Sequence, residues 1–253
     1  MTAWRAAAFV ALAAIALACG DSKAGPNTPL SIQFEPPGLP SMLVGDSLRD
    51  TLGRVDSLHA IVFNASGDTI PDAHVRYAHA DTTHIVTIDS VSGHAVARGT
   101  GLARVVAQTS GLQSPPETLF VVARPDLFAA VTAPNDTIDF SARRDSLFPL
   151  SVGLSAALIP VDHWRIEYSF LYPASFNDGD STHVLLTGEN SKFTLVDTTG
   201  VNGVSGTATR FLHASTVAQA YNDTVVVEAR AFYPDRTVVP GSPQRFKVLV
   251  QIP

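Results

Sequence analysis

From Leu30 onward, apolar side chains alternate with polar ones at a period of two, and turn residues interrupt the alternation at short intervals. Leu58, Ala60 and Val62 alternate before the turn-forming run NASGDTIP. Val75 and Tyr77 alternate in HVRYAH, Val86 and Ile88 in HIVTID, and Ala103, Val105 and Ala107 in LARVVAQ. Leu119 and Val121 follow before Arg124-Pro125. Successive side chains of a strand point to opposite faces, so this period places one face of each segment in a core. Seven or so short strands over about 90–100 residues predict a β-sandwich.

The same pattern continues beyond Pro125. Leu150, Val152 and Leu154 alternate, as do Trp164, Ile166, Tyr168 and Phe170, then Val225 to Ala231, and lastly Phe246 to Ile252. No stretch after residue 20 carries an apolar stripe at helical spacing. IPDAHVRY (Ile70–Tyr77) and IPVDHWRI (Ile159–Ile166) share Ile, Pro, His and Arg without gaps, at a spacing of about one sandwich. The expected fold is therefore all-β, with two tandem β-sandwiches over 30–124 and 125–253.

The N-terminus follows a different pattern. Ala6 to Ala18 is an unbroken apolar run behind Arg5. A membrane-spanning helix needs about 18 or more apolar residues, whereas a signal-peptide core needs about 7–15. Residues 1–18 are thus read as an export signal. Cys19 is the only cysteine in the chain, so an internal disulfide is excluded. Gly20 to Pro29 is small, polar and interrupted by Gly and Pro, which suits a flexible tether over 19–29.

Several short patterns resemble known families. ALAC (Ala16–Cys19) resembles the lipobox of bacterial lipoproteins, which implies acylation of Cys19 and a lipid membrane as partner. Gly20 after the cysteine implies outer-membrane sorting, with a periplasmic or surface-facing orientation. The order Val44-Gly45-Asp46-Ser47, Leu58 to Val62, Gly67, Val75-Arg76-Tyr77, Val86 to Ile88, Gly93 through Ala97 to Gly101, and Ala103 to Ala107 is similar to the bacterial immunoglobulin-like group 2 domain. DTTGVNGVSGTATRFLHAS resembles the closing half of invasin-type group 1 domains. Together these resemblances imply a non-catalytic adhesion, binding or spacer module of the cell envelope. A structural subunit of an envelope assembly is the alternative, and a carbohydrate or protein ligand is left open.

Composition narrows the partners. The 253 residues are 45% hydrophobic and 16% charged, with a formal net charge of -6. That is a globular composition, and without a basic cluster interleaved with aromatics nucleic acid is not an expected partner. Neither is a cofactor.

Four local features carry candidate chemistry. GDSL around Ser47 resembles the nucleophile block of GDSL esterases, with Asn135, Asp180 and His183 following in the order of such a triad. Against it, Ala133-Pro134 precedes Asn135, and the segment after Ser47 reads as a strand. Ser47 is therefore expected in a turn in which Val44 packs, Gly45 bends, and Asp46 and Ser47 bond local backbone. His74, His79 and His84 are spaced by five and are expected on alternating faces, so no zinc site is expected. Asn177 to Thr182 concentrates oxygen ligands but lacks the spacing of a calcium loop. Trp164 and Tyr168 are expected in the core, not on a sugar-stacking surface.

Overall fold

The computed structural model describes residue 25 and residues 27–140, 147–179, 182–188, 192–215 and 217–253. Residues 1–18, read as an export signal, Cys19 and most of the expected tether lie outside the described residues.

The first set of strands is β1 (Ser31–Phe34), β2 (Met42–Leu43), β3 (Ala60–Phe63), β4 (Arg76–His79), β5 (Val86–Ile88), β6 (Ala95–Ala97), β7 (Gly101–Thr109), β8 (Leu112–Gln113) and β9 (Glu117–Val122). One layer has the order β2-β9-β7-β4. The other is built from the pairs β1-β3 and β5-β6, joined by bridges Ser57↔His94 and Ser47↔Val96. Two layers with this order, antiparallel apart from β2, match the ABED and CFG sheets of an immunoglobulin sandwich. β2 lies parallel to β9, with Met42 opposite Val121.

The second set is β10 (Leu127–Ala130), β11 (Asn135–Asp139), β12 (Leu147–Ala156), β13 (Ile159–Pro160), β14 (Arg165–Tyr172), β15 (Val184–Thr187), β16 (Val196–Thr198), β17 (Thr207–Ala214), β18 (Tyr221–Ala231) and β19 (Gln244–Ile252), with one 3-10 turn at Ala174–Asp178. Its layers are β10-β12-β17-β15 and β11-β19-β18-β14-β16. β11 again runs parallel to its neighbour, β19. The all-β sandwich expected from the alternation is the observed fold. Among the described residues, no helix is long and apolar enough to cross a membrane.

The period of two is realised strand by strand. Leu150, Val152, Leu154 and Ala156 of β12 face inward against Ile166, Tyr168 and Phe170 of β14 and Val225, Val227, Ala229 and Ala231 of β18. The smaller first core holds Ile32, Phe34, Leu58, Val62, Tyr77 and Val86. The repeat leads to one position in both sandwiches, since Arg76 opens β4 and Arg165 opens β14. The Gly93-to-Ala97 spacing also has a physical cause. Gly93 has φ +72, and a Cβ there would sit 2.7 Å from the Leu58 carbonyl and 2.9 Å from the Tyr77 ring. Ala95 and Ala97 are fully buried where larger side chains would overpack the core.

Candidate functional site

Ser47 lies at a strand edge. Its backbone bridges Val96, and its amide donates to Asp46 Oδ1 at 2.8 Å. Gly45 bends the chain at φ +85, as expected. The packing expectation needs correction: Val44 is 37% exposed, while Leu43 and Leu48 on either side of the turn are buried. Alternation breaks here because the chain crosses from one layer to the other, which turns Val44 outward.

Ser47 belongs to the first sandwich and His183 to the second. His183 packs in the second, its ring 4.6 Å from that of Tyr221 and 5.9 Å from that of Phe176. Asn135 opens β11 on the second sandwich, and Asp180 lies outside the described residues.

The histidines depart from the spacing argument. His79 and His84 meet edge to face at 5.4 Å. The chain bends between them, so strand parity no longer applies. Asp81 sits in that bend and spends its carboxylate on the backbone, accepting from Arg104 N at 2.6 Å and Thr83 N at 3.1 Å. These bonds hold Asp81 below the usual carboxylate range. Among the described residues, no three His, Cys, Asp or Glu side chains are grouped to hold a metal ion.

Asn177, first in the oxygen-rich loop, is a clamp. Its Oδ1 accepts from Phe170 N at 2.7 Å, and its Nδ2 donates to Phe170 O at 2.8 Å and Ala174 O at 3.0 Å. Asp162 staples the glycine-rich loop through Ser205 Oγ at 2.9 Å and Gly206 N at 2.5 Å. Trp164 and Tyr168 are buried, as expected. Trp164 meets Tyr233 edge-on at 6.3 Å. Tyr168 donates towards Leu150 O at 3.3 Å and Ala208 O at 3.1 Å, and burial pushes its phenol well above the usual range.

The most elaborate constellation joins the two sandwiches. β9 ends at Val122 and β10 begins at Leu127, so the connection is short. Leu43 and Val122 of the first sandwich pack against the core of the second. Phe120 stacks flat on His163 with ring centroids 3.5 Å apart and planes at 11°. Arg124 lies 3.7 Å over the Tyr233 ring, whose hydroxyl donates to Pro125 O at 2.5 Å. A hairpin around Asp50–Arg54 closes the contact. Arg49 bonds Asp46 Oδ2 at 2.8 Å and donates to Gly53 O at 2.7 Å, and Gly53 lies against Pro234 and Arg236.

A narrow cleft runs between that hairpin and the Phe232–Arg236 turn, with Leu39, Pro40 and Trp164 on its walls. Glu167 lies at its mouth and accepts from Arg236 Nη1 at 2.8 Å and Arg165 Nε at 3.2 Å. Burial pushes the Glu167 carboxyl up, but the two guanidinium groups outweigh it and hold the carboxyl below the usual carboxylate range. None of these contacts is visible in local patterning, because the partners come from turns far apart in sequence.

No family model and no curated protein sequence matches the chain. Among solved structures, it is similar to the adhesin InvE of Yersinia pseudotuberculosis, at 12% identity and a TM-score of 0.37, over 88% of this chain and 58% of that one. It is similar to the S-layer protein SbsC, at 9% identity and a TM-score of 0.31, over 88% of this chain. The chain spans only 28% of that S-layer structure. The D0-D1 domain of intimin is similar at 13% identity and a TM-score of 0.27, over 86% of this chain and 98% of that one.

Proposed function

We propose that the chain is a non-catalytic, lipid-anchored envelope protein that holds its second sandwich away from the membrane on a stiff two-domain stalk. The first domain is of the bacterial immunoglobulin-like group 2 type, and the division falls at Arg124-Pro125. Acylation of Cys19 supplies the anchor, and the residues up to Pro29 supply the tether. Stable anchoring takes two lipid signals, which a multiply acylated cysteine provides.

The observation that carries this reading is the joint. Connected domains with small polar interfaces move relative to one another by default. Here an apolar contact, a flat ring stack, an Arg-on-Tyr contact and a fitted hairpin all hold the same junction. Asp81 and Asn177, which could have served as oxygen ligands, bond backbone groups instead.

Spin labels on Val91→Cys and Val201→Cys, one on each sandwich, test the stalk. A single narrow distance distribution supports it, and a broad one sinks it. Metabolic labelling with a fatty-acid analogue should be lost in Cys19→Ala; persistence of the label removes the anchor. Ester hydrolysis that disappears in Ser47→Ala would replace this reading with a hydrolase.

A further inference from the structure

The outer face of the five-stranded sheet in the second sandwich carries a fully buried carboxylate where alternation calls for an exposed one. Val225, Val227, Ala229 and Ala231 of β18 face the core, so Glu228 faces out. Yet its side chain is 0% exposed, because Arg230 and Arg245 close over it. Arg230 bonds one carboxylate oxygen through Nε, and Arg245 bonds the other through Nε at 2.8 Å. One strand over, Glu167 is held between Arg165 and Arg236. Glu167 is directly opposite Arg230 in the ladder, and Glu228 is opposite Arg245. Two Arg–Glu–Arg triads therefore lie side by side.

Arg165, Arg230 and Arg245 all face their glutamate through Nε. Among the described residues, no protein group accepts from their Nη atoms. Each buried or half-buried carboxylate thus orients guanidinium forks whose outer edges point to solvent. A fork of this kind matches carboxylate and phosphate oxygens in a bidentate manner. Four arginines, with Lys247 in the next row, outnumber the two glutamates in a chain whose net charge is -6. Of the other carboxylates of this sheet, Asp136, Asp197 and Asp223 are opposite the core residues Val248, Ile166 and Val250, and Asp139 is opposite Gln251 at the far end.

We infer that this face binds an acidic polysaccharide through the outward edges of Arg165, Arg230 and Arg245. Rows of donors sit about 5 Å apart across strands and about 6.6 Å apart along one. That spacing suits anionic groups repeated along an extended chain. Strand addition by an acidic peptide is not open to β14 or β18, which each have a partner on both sides. Nucleic-acid bases lack a platform, because the nearby Phe232 ring is covered by Arg236 at 4.2 Å. The arginines all belong to the second sandwich, with Arg165 and Arg236 also bordering the cleft beside the first, and the inference survives if the anchor fails.

The test uses the detergent-solubilised full chain with polygalacturonate, uncharged dextran, poly-glutamate and phosphatidylglycerol vesicles as probes. Polygalacturonate should bind at low salt and release at high salt, and dextran should not bind. In Arg230→Lys/Arg245→Lys an ammonium still compensates Glu228, so the melting temperature should hold. Binding should fall about tenfold or more, since charge-assisted bonds are lost. Arg165→Gln should weaken binding similarly while Arg236 keeps Glu167 paired. Unchanged binding in these folded variants overturns the inference. So does binding of poly-glutamate or the vesicles in preference to polygalacturonate.

Discussion

Gly53 and Gly67 occupy nearly identical turns, and only one of them touches the second sandwich. Gly53 has φ +85 and Gly67 φ +83. Each donates its amide to the residue three back, Asp50 O and Asn64 O, at 3.1 Å. In each turn that residue's side chain also accepts two backbone amides. A Cβ at Gly67 meets nothing within 4 Å, whereas one at Gly53 would sit 2.8 Å from Pro234 O and 3.1 Å from Arg236 Cγ. Alanine in the left-handed region costs about 1–2 kcal/mol, and that cost is common to both variants. Gly53→Ala must in addition push the hairpin off the second sandwich. If that exposes roughly 50–100 Å² of apolar surface, the extra loss is about 1–2.5 kcal/mol. Thermal unfolding should therefore show Gly53→Ala as the less stable of the pair, and the distance between labels at residues 91 and 201 should broaden only in that variant. Equal stability and equal distance distributions would refute a fitted joint.

Three further outcomes follow from particular bonds. The Glu167 carboxyl is held low in the folded state, so its contribution is present above its unfolded value of about 4.3 and is lost as pH falls through the folded one. Glu167→Gln should flatten that acid arm of the stability profile and leave neutral behaviour above pH 6 parallel to the parent; an unchanged acid arm contradicts the assignment. Tyr168→Phe removes a buried hydroxyl shared by two carbonyls and should cost about 1 kcal/mol in denaturant unfolding, with no cost if those bonds are not made. Asn177→Ala removes three backbone bonds and should cost about 2–3 kcal/mol, and calcium should not raise the melting temperature of the parent; a calcium-dependent rise would restore a metal role to this loop.

The strands were legible because burial acts residue by residue. A side chain such as Val152 or Val227 must be apolar wherever its strand faces the core, and the period of two records that requirement. Trp164 and Tyr168 were legible for the same reason. The joint was not. Tyr233 reaches Pro125, and Gly53 meets Pro234, through turns whose sequences satisfy only their own local geometry. A glycine needed for a left-handed φ and a glycine needed for close approach look alike in sequence, as Gly67 and Gly53 show. Spacing also misled at His79 and His84, because the bend between them resets strand parity. Glu228 hid in plain alternation: it occupies an outward position, and only the cross-strand register brings Arg245 over it.

The Leu43–Leu48 stretch separates the two ways of reading this chain. Asp46 takes Arg49 in two bonds, at 2.8 and 3.0 Å, and Arg49 in turn holds Gly53 O at 2.7 Å. Gly53 rests on Pro234, so Asp46 supports the joint at one remove, while Ser47 contributes a strand-edge bridge through its backbone. Asp46→Ala removes a partly exposed charge-assisted pair worth about 1 kcal/mol and frees the hairpin that closes the junction. It should broaden the inter-sandwich distance much as Gly53→Ala does. Ser47→Ala keeps the backbone bridge and should leave both stability and distance near the parent. A nucleophile demands the reverse order, with Ser47 indispensable to activity and Asp46 only adjusting it. Measured side by side, the two alanine variants decide whether this segment is the foot of a structural hairpin or the remains of a catalytic block.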